Sequence, residues 1–102
     1  MSLEMRTECE RCAKPLAADG VALICSYECT FCVACVEEVL HDVCPNCGGG
    51  LVPRPIRPRG EWRHGLSLAK RPASTARVRS PYRAGEIAAF AAGLRSTPPG
   101  QR

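Results

Sequence analysis

The chain has 102 residues, a formal net charge of +4, and eight Cys, all of them between Cys9 and Cys47. That length holds one domain with appendages, and no run approaches the ~18 apolar residues of a membrane helix. The first dozen residues carry charge throughout and lack the apolar stretch of an export signal, so a secreted disulfide scaffold is not expected and a reducing cytoplasm is.

The two halves differ sharply in charge. Residues 1–50 hold three basic side chains against eight acidic ones, a net of −5, whereas residues 51–102 hold eleven against two, a net of +9. The expected organisation is a zinc-binding domain over 1–50, a Pro/Arg-rich extended strap over 51–59, and a basic tail over 60–102.

In chain order, Cys9 and Cys12 come first, followed by the turn signal Asp19-Gly20. Residues 21–32 are rich in strand formers and predict a short β-hairpin. Val33 to His41 predicts a short helix, with Val36, Val39 and Leu40 on one face and Glu37 and Glu38 toward water. Cys44-Pro45-Asn46-Cys47 follows, and Gly48-Gly49-Gly50 closes the unit. Pro53, Pro55 and Pro58 then alternate with Arg54, Arg57 and Arg59, an extended segment that cannot pair as a central strand. Residues 60–80 show no periodicity, so a largely disordered tail is expected. Within it, Ser80-Pro81 suits a helix start, and Ile87, Phe90, Ala91 and Leu94 share a helical face, placing a possible short helix at 81–95. Removal of such a tail should leave the stability of the first half nearly unchanged.

The Cys spacing is Cys9-x2-Cys12-x12-Cys25-x3-Cys29-x2-Cys32-x2-Cys35-x8-Cys44-x2-Cys47. A Cys-x-x-Cys loop delivers two thiolates to one ion at about 2.3 Å without backbone strain, and Zn²⁺ accepts four in a tetrahedron. Four ligand pairs within so short a segment predict two Zn²⁺. So small an apolar core needs staples, and each structural zinc contributes on the order of 10 kcal/mol to folding. Sequential pairing would group Cys9, Cys12, Cys25 and Cys29, leaving Cys32, Cys35, Cys44 and Cys47. Interleaved pairing would group Cys9, Cys12, Cys32 and Cys35 (zinc 1) and Cys25, Cys29, Cys44 and Cys47 (zinc 2). The short Cys29-x2-Cys32 interval favours the interleaved version, because a strand sends alternate ligands to opposite sides.

The order of ligand pairs, Phe31 before Cys32, Val36 after Cys35, and the closing Cys44-Pro45-Asn46-Cys47 resemble a RING finger with Cys29 in the usual His position. The RING cross-brace implies the interleaved sets. Leu3-Glu4-Met5-Arg6, Cys9-Glu10-Arg11-Cys12, Ile24-Cys25-Ser26, Glu28-Cys29-Thr30-Phe31-Cys32, Cys44-Pro45-Asn46-Cys47-Gly48-Gly49 and Arg54-Pro55-Ile56-Arg57-Pro58 resemble, more closely, a bacterial family known as domain of unknown function 1272. The resemblance covers residues 3 to about 59 and implies a small zinc-binding protein of bacteria with no established activity; the expected fold is a RING-like α+β module, a short hairpin and one helix around two tetrathiolate sites. It does not imply a ubiquitin ligase. Ligase RING domains usually place an aliphatic residue inside the first Cys pair, where Glu10 and Arg11 stand, and often a large aromatic where Val39 stands.

Function is expected to be binding, most directly of another protein, by a non-catalytic zinc module. Nucleic-acid binding through the basic residues of 54–83 is the main alternative, and an iron–sulfur or thiol redox protein is the third. His41 suits a helix C-terminus rather than a ligand position. No open metal position or catalytic base is apparent.

Overall fold

A computed structural model describes residues 2–102. Strands β1 (Leu23–Ile24) and β2 (Thr30–Phe31) form the expected hairpin, pairing Leu23 with Phe31 and Ile24 with Thr30. A third strand, β3 (Val52–Pro53), joins antiparallel on the free side of β1, giving the order β2-β1-β3. The start of the strap is therefore part of the sheet. Pro53 is tolerated because β3 is an edge strand, where a missing N–H costs no ladder bond, and the Arg54 amide continues the pairing by donating to the Ala22 carbonyl at 2.7 Å.

Chain direction then reverses at Cys32, whose thiol caps the Cys35 amide at 3.4 Å. Helix α1 (Val33–Cys35) runs on as a π-helical stretch, Val36–Leu40. Val36 and Leu40 are buried and Val39 packs against them, while Glu37 and Glu38 are exposed, as the periodicity requires. His41 and Asp42 end the stretch at φ 50° and 63°. The core that results is small. Phe31, Leu16, Leu40, Val36 and Leu51 are packed among the cysteines themselves.

The second half departs from expectation, because a disordered tail is not what the structure shows. The tail docks along the first half. The Ser74 amide donates to the Met5 carbonyl and the Ser80 amide to the Glu10 carbonyl, both at 2.9 Å. Arg79 pairs with Glu8 at 2.7 Å and Arg59 with Asp19 at 3.4 Å, so the opposite charges of the two halves meet in part. Helix α2 (Ala84–Leu94) lies against the π-helical stretch and buries Ile87 and Ala91. It begins after Arg83 rather than at Ser80, with Glu86 accepting from the Arg83 amide at 2.9 Å. Ser80 is engaged elsewhere: its hydroxyl donates to Asn46 Oδ1 at 2.8 Å. A last 3₁₀ turn, Pro99–Gln101, brings Arg102 back to donate to the carbonyls of Asp42 and Gly48 at 3.0 Å.

Candidate metal centre

Two knuckles built alike open and close the cysteine-bearing segment. In the first, the Ala13 amide donates to the Cys9 carbonyl at 2.9 Å, and Ala13 takes φ 67°. In the second, the Gly48 amide donates to the Cys44 carbonyl at 2.7 Å, and Gly48 takes φ 82°. Each Cys-x-x-Cys loop is thus closed by a residue in the left-handed region, which turns the chain away and leaves both thiols on one side. Glycine suits the second position for an added reason. A Cβ there would stand 3.2 Å from Leu94 Cδ1 and 3.4 Å from Phe90 Cζ of α2. Gly48→Ala is therefore expected to cost about 1–2 kcal/mol from the left-handed backbone alone, with further loss from displacing α2, measurable as a lower urea midpoint of the metal-loaded protein.

The thiols of Cys9, Cys12, Cys32 and Cys35 lie within 4.8 Å of one another. The Cys9–Cys35 and Cys12–Cys32 sulfurs are each 3.7 Å apart. Four thiolates about 2.3 Å from a tetrahedral ion are separated by about 3.8 Å along each edge, so this set has the dimensions of a single four-thiolate site. A second group, Cys25, Cys44 and Cys47, also lies within 4.8 Å. Cys29 stands beside that group rather than in it, its carbonyl accepting from the Cys25 amide at 3.1 Å. The two groups alternate along the chain, Cys25 of the second falling between Cys12 and Cys32 of the first. Both groups have a donor set suited to Zn²⁺, and no His, Asp or Glu joins either one among the described residues. His41, ending the helical stretch, stays apart.

Backbone amides complete the surroundings of the sulfurs. The Tyr27 amide donates to Cys25 Sγ at 3.3 Å and the Gly49 amide to Cys47 Sγ at 3.4 Å. Arg11, inside the first knuckle, reaches Cys35 Sγ with its guanidinium at 3.5 Å. Such donors favour thiolate over thiol. Spacing rules point to ligands but not to these partners, so Arg11 appeared in sequence only as a departure from a RING surface.

Burial works the other way. It pushes the Cys35, Cys44 and Cys29 thiols up from their ordinary range, so without metal these groups are neutral. Metal capture must then expel protons. The sign follows: metal binding strengthens as pH rises toward the ordinary thiol range near about 8.5 and weakens as protons compete below it. Zinc affinity measured by chelator competition against pH is expected to fall steeply on acidification; an affinity that does not change between neutral and mildly acidic pH would rule out thiolate ligation.

The fold is a small α+β unit gathered around two cysteine clusters that could each hold a metal ion, a donor set compatible with zinc. The chain belongs to the family described as Protein of unknown function (DUF1272), which it matches over residues 2–57. It is also 51% identical over 80 residues to an uncharacterised protein of Rhizobium meliloti (strain 1021), covering 78% of this chain and 88% of the relative. That match is longer than the family segment, so the likeness runs into the tail. No solved structure matches the chain. No helix among the described residues is long and apolar enough to cross a membrane.

Proposed function

We propose that this protein is a non-catalytic module carrying two Zn²⁺ ions in a RING-like cross-brace, and that it acts in a reducing cytoplasm by presenting a rigid surface to another protein. The observation that carries the reading is the all-thiol first cluster, with sulfurs 3.7 Å apart around room for one ion. Four thiolates complete the coordination of Zn²⁺ and leave no position for a substrate or a reactive water. In an iron–sulfur cluster inorganic sulfide bridges iron to iron and the cysteine thiolates bind the outer positions of several irons, so the four cysteine sulfurs would stand farther apart. For the second zinc, Cys29 supplies the fourth thiolate after a small adjustment toward Cys25, Cys44 and Cys47.

The nucleic-acid alternative is less well supported. Many cations of residues 54–83 are already used within the molecule. Arg54 is buried and donates to the carbonyls of Arg6 and Ala17, Arg57 to those of Leu3 and Arg71, and Arg79 pairs with Glu8. Trp62, by contrast, stands 79% exposed in the loop between β3 and the docked part of the tail.

Native mass spectrometry of protein purified under reducing conditions tests the metal reading. Two zincs per chain, with the tetrahedral ligand-field bands of sulfur-bound Co²⁺ after exchange, are expected. Iron, or a chain with four disulfides, would overturn it. Binding to an oligonucleotide that weakens steeply with salt would overturn the choice of a protein partner.

A further inference from the structure

Glu10 is a carboxylate at 2% exposure, sitting between the two ligands of the first knuckle. A buried carboxylate is costly unless every oxygen finds a donor, and the donors here come from several segments. One oxygen receives the Arg6 guanidinium and the Thr30 amide, the latter at 2.6 Å. The other receives Asn46 Nδ2 at 3.3 Å. The backbone of Glu10 adds two more bonds, donating to the Thr30 carbonyl at 3.0 Å and accepting from the Ser80 amide at 2.9 Å.

The positions of these partners matter more than their number. Asn46 lies between Cys44 and Cys47 of the second cluster. Thr30 lies between Cys29, beside the second cluster, and Cys32, in the first. A residue from one metal loop therefore holds the other loop and the strand that serves both. When the Cys9–Cys12 loop is fixed by its ion, the carboxylate is fixed with it, and the Cys44–Cys47 loop is held in the shape that its own ion requires. When the first loop is loose, that restraint is absent. We propose that Glu10 is a positioning residue that couples the two metal sites, through Asn46, so that they fill together.

This inference rests on the reading above that both clusters hold zinc. Coupling between sites is commonly between five- and 150-fold in affinity. For two equal and independent sites, about half of the protein would carry one zinc at half-loading, whereas tenfold coupling would hold that species to about a quarter.

The test is stepwise removal of Zn²⁺ from the loaded, reduced full-length protein with a competing chelator, followed by native mass spectrometry, with alkylation and peptide mapping to show which cysteines are protected. The wild-type protein is expected to keep the one-zinc species well below half. Asn46→Ala, at a half-buried position, and Glu10→Ala should each raise it about twofold, and the double variant should do no more than either alone, since both cut the same link. If Glu10→Ala fails to fold, Asn46→Ala still decides. A one-zinc share of half or more in the wild-type protein would overturn the coupling, as would additive effects in the double variant, because simple local weakening of two separate sites adds. A fully loaded chain that does not carry two zincs would instead overturn the reading beneath it, and the masses report that directly.

Discussion

Stripping the metal from the reduced protein with a tight chelator is expected to unfold it, seen as collapse of the dispersed amide NMR spectrum and as cysteines that react together with an alkylating agent. The expectation follows from magnitudes. A structural zinc supplies about 10–16 kcal/mol of apparent binding free energy at neutral pH, and a whole domain is stable by only about 5–15 kcal/mol. The apolar side chains cannot make up such a loss. Phe31, Leu40, Leu16 and Leu51 are well buried, yet they share one small cluster with six of the cysteines. With the ions gone, their surroundings would be neutral thiols with no reason to stay within 4.8 Å of each other.

Cys32→Ser sharpens the same point. Cys32 both contributes to the first cluster and caps α1, its thiol accepting from the Cys35 amide. Serine is a good helix cap, so the substitution keeps the cap while replacing thiolate by a poor zinc ligand. The variant is expected to lose zinc and the folded spectrum together. A folded Cys32→Ser protein that still holds two zincs would show that Cys32 is not a ligand and that the first cluster has been misassigned.

The parts of this fold that were legible in the sequence are those with a local period or a local spacing. The hairpin at 21–32 follows from a run of strand formers, the helical face of Val36, Val39 and Leu40 from the i, i+3, i+4 rule, and the knuckles from Cys-x-x-Cys. Other parts depend on long-range contacts. Strand β3 is two residues long, too short for any period to register, and exists because β1 offers it an edge. Ala13 was unremarkable in sequence, since nothing about an alanine signals the left-handed turn that Gly48 makes at the equivalent place. The tail was misread because a composition rule treats a segment as though it were alone. Ser74 and Ser80 are ordered by partners about 70 residues away, Met5 and Glu10, and Ile87 and Ala91 by a face of the head that a one-segment reading cannot see.

Those tail contacts make a second large effect measurable. Deleting residues 60–102 is expected to leave two zincs bound but to lower the stability of the loaded protein by about 2–4 kcal/mol, read from the urea midpoint, where a disordered tail would give no change. The ordering entropy of the tail offsets most of what its contacts gain, so the net loss is far below the sum of those contacts. What remains is set mainly by α2, because burying one large aliphatic side chain contributes about 1.5–3 kcal/mol, and Ile87 is 3% exposed. The ion pairs contribute less. Arg79 with Glu8 and Arg59 with Asp19 lie at the surface, where such pairs contribute little and are screened by salt. Two perturbations separate the terms. High salt is expected to leave α2 docked, with Ile87 and Ala91 still covered, whereas Ile87→Ala should cost about 2–4 kcal/mol and raise hydrogen exchange along Ala84–Leu94 without releasing zinc. Release of the tail by salt alone would mean that the opposite charges of the two halves, rather than the apolar face of α2, hold the molecule together.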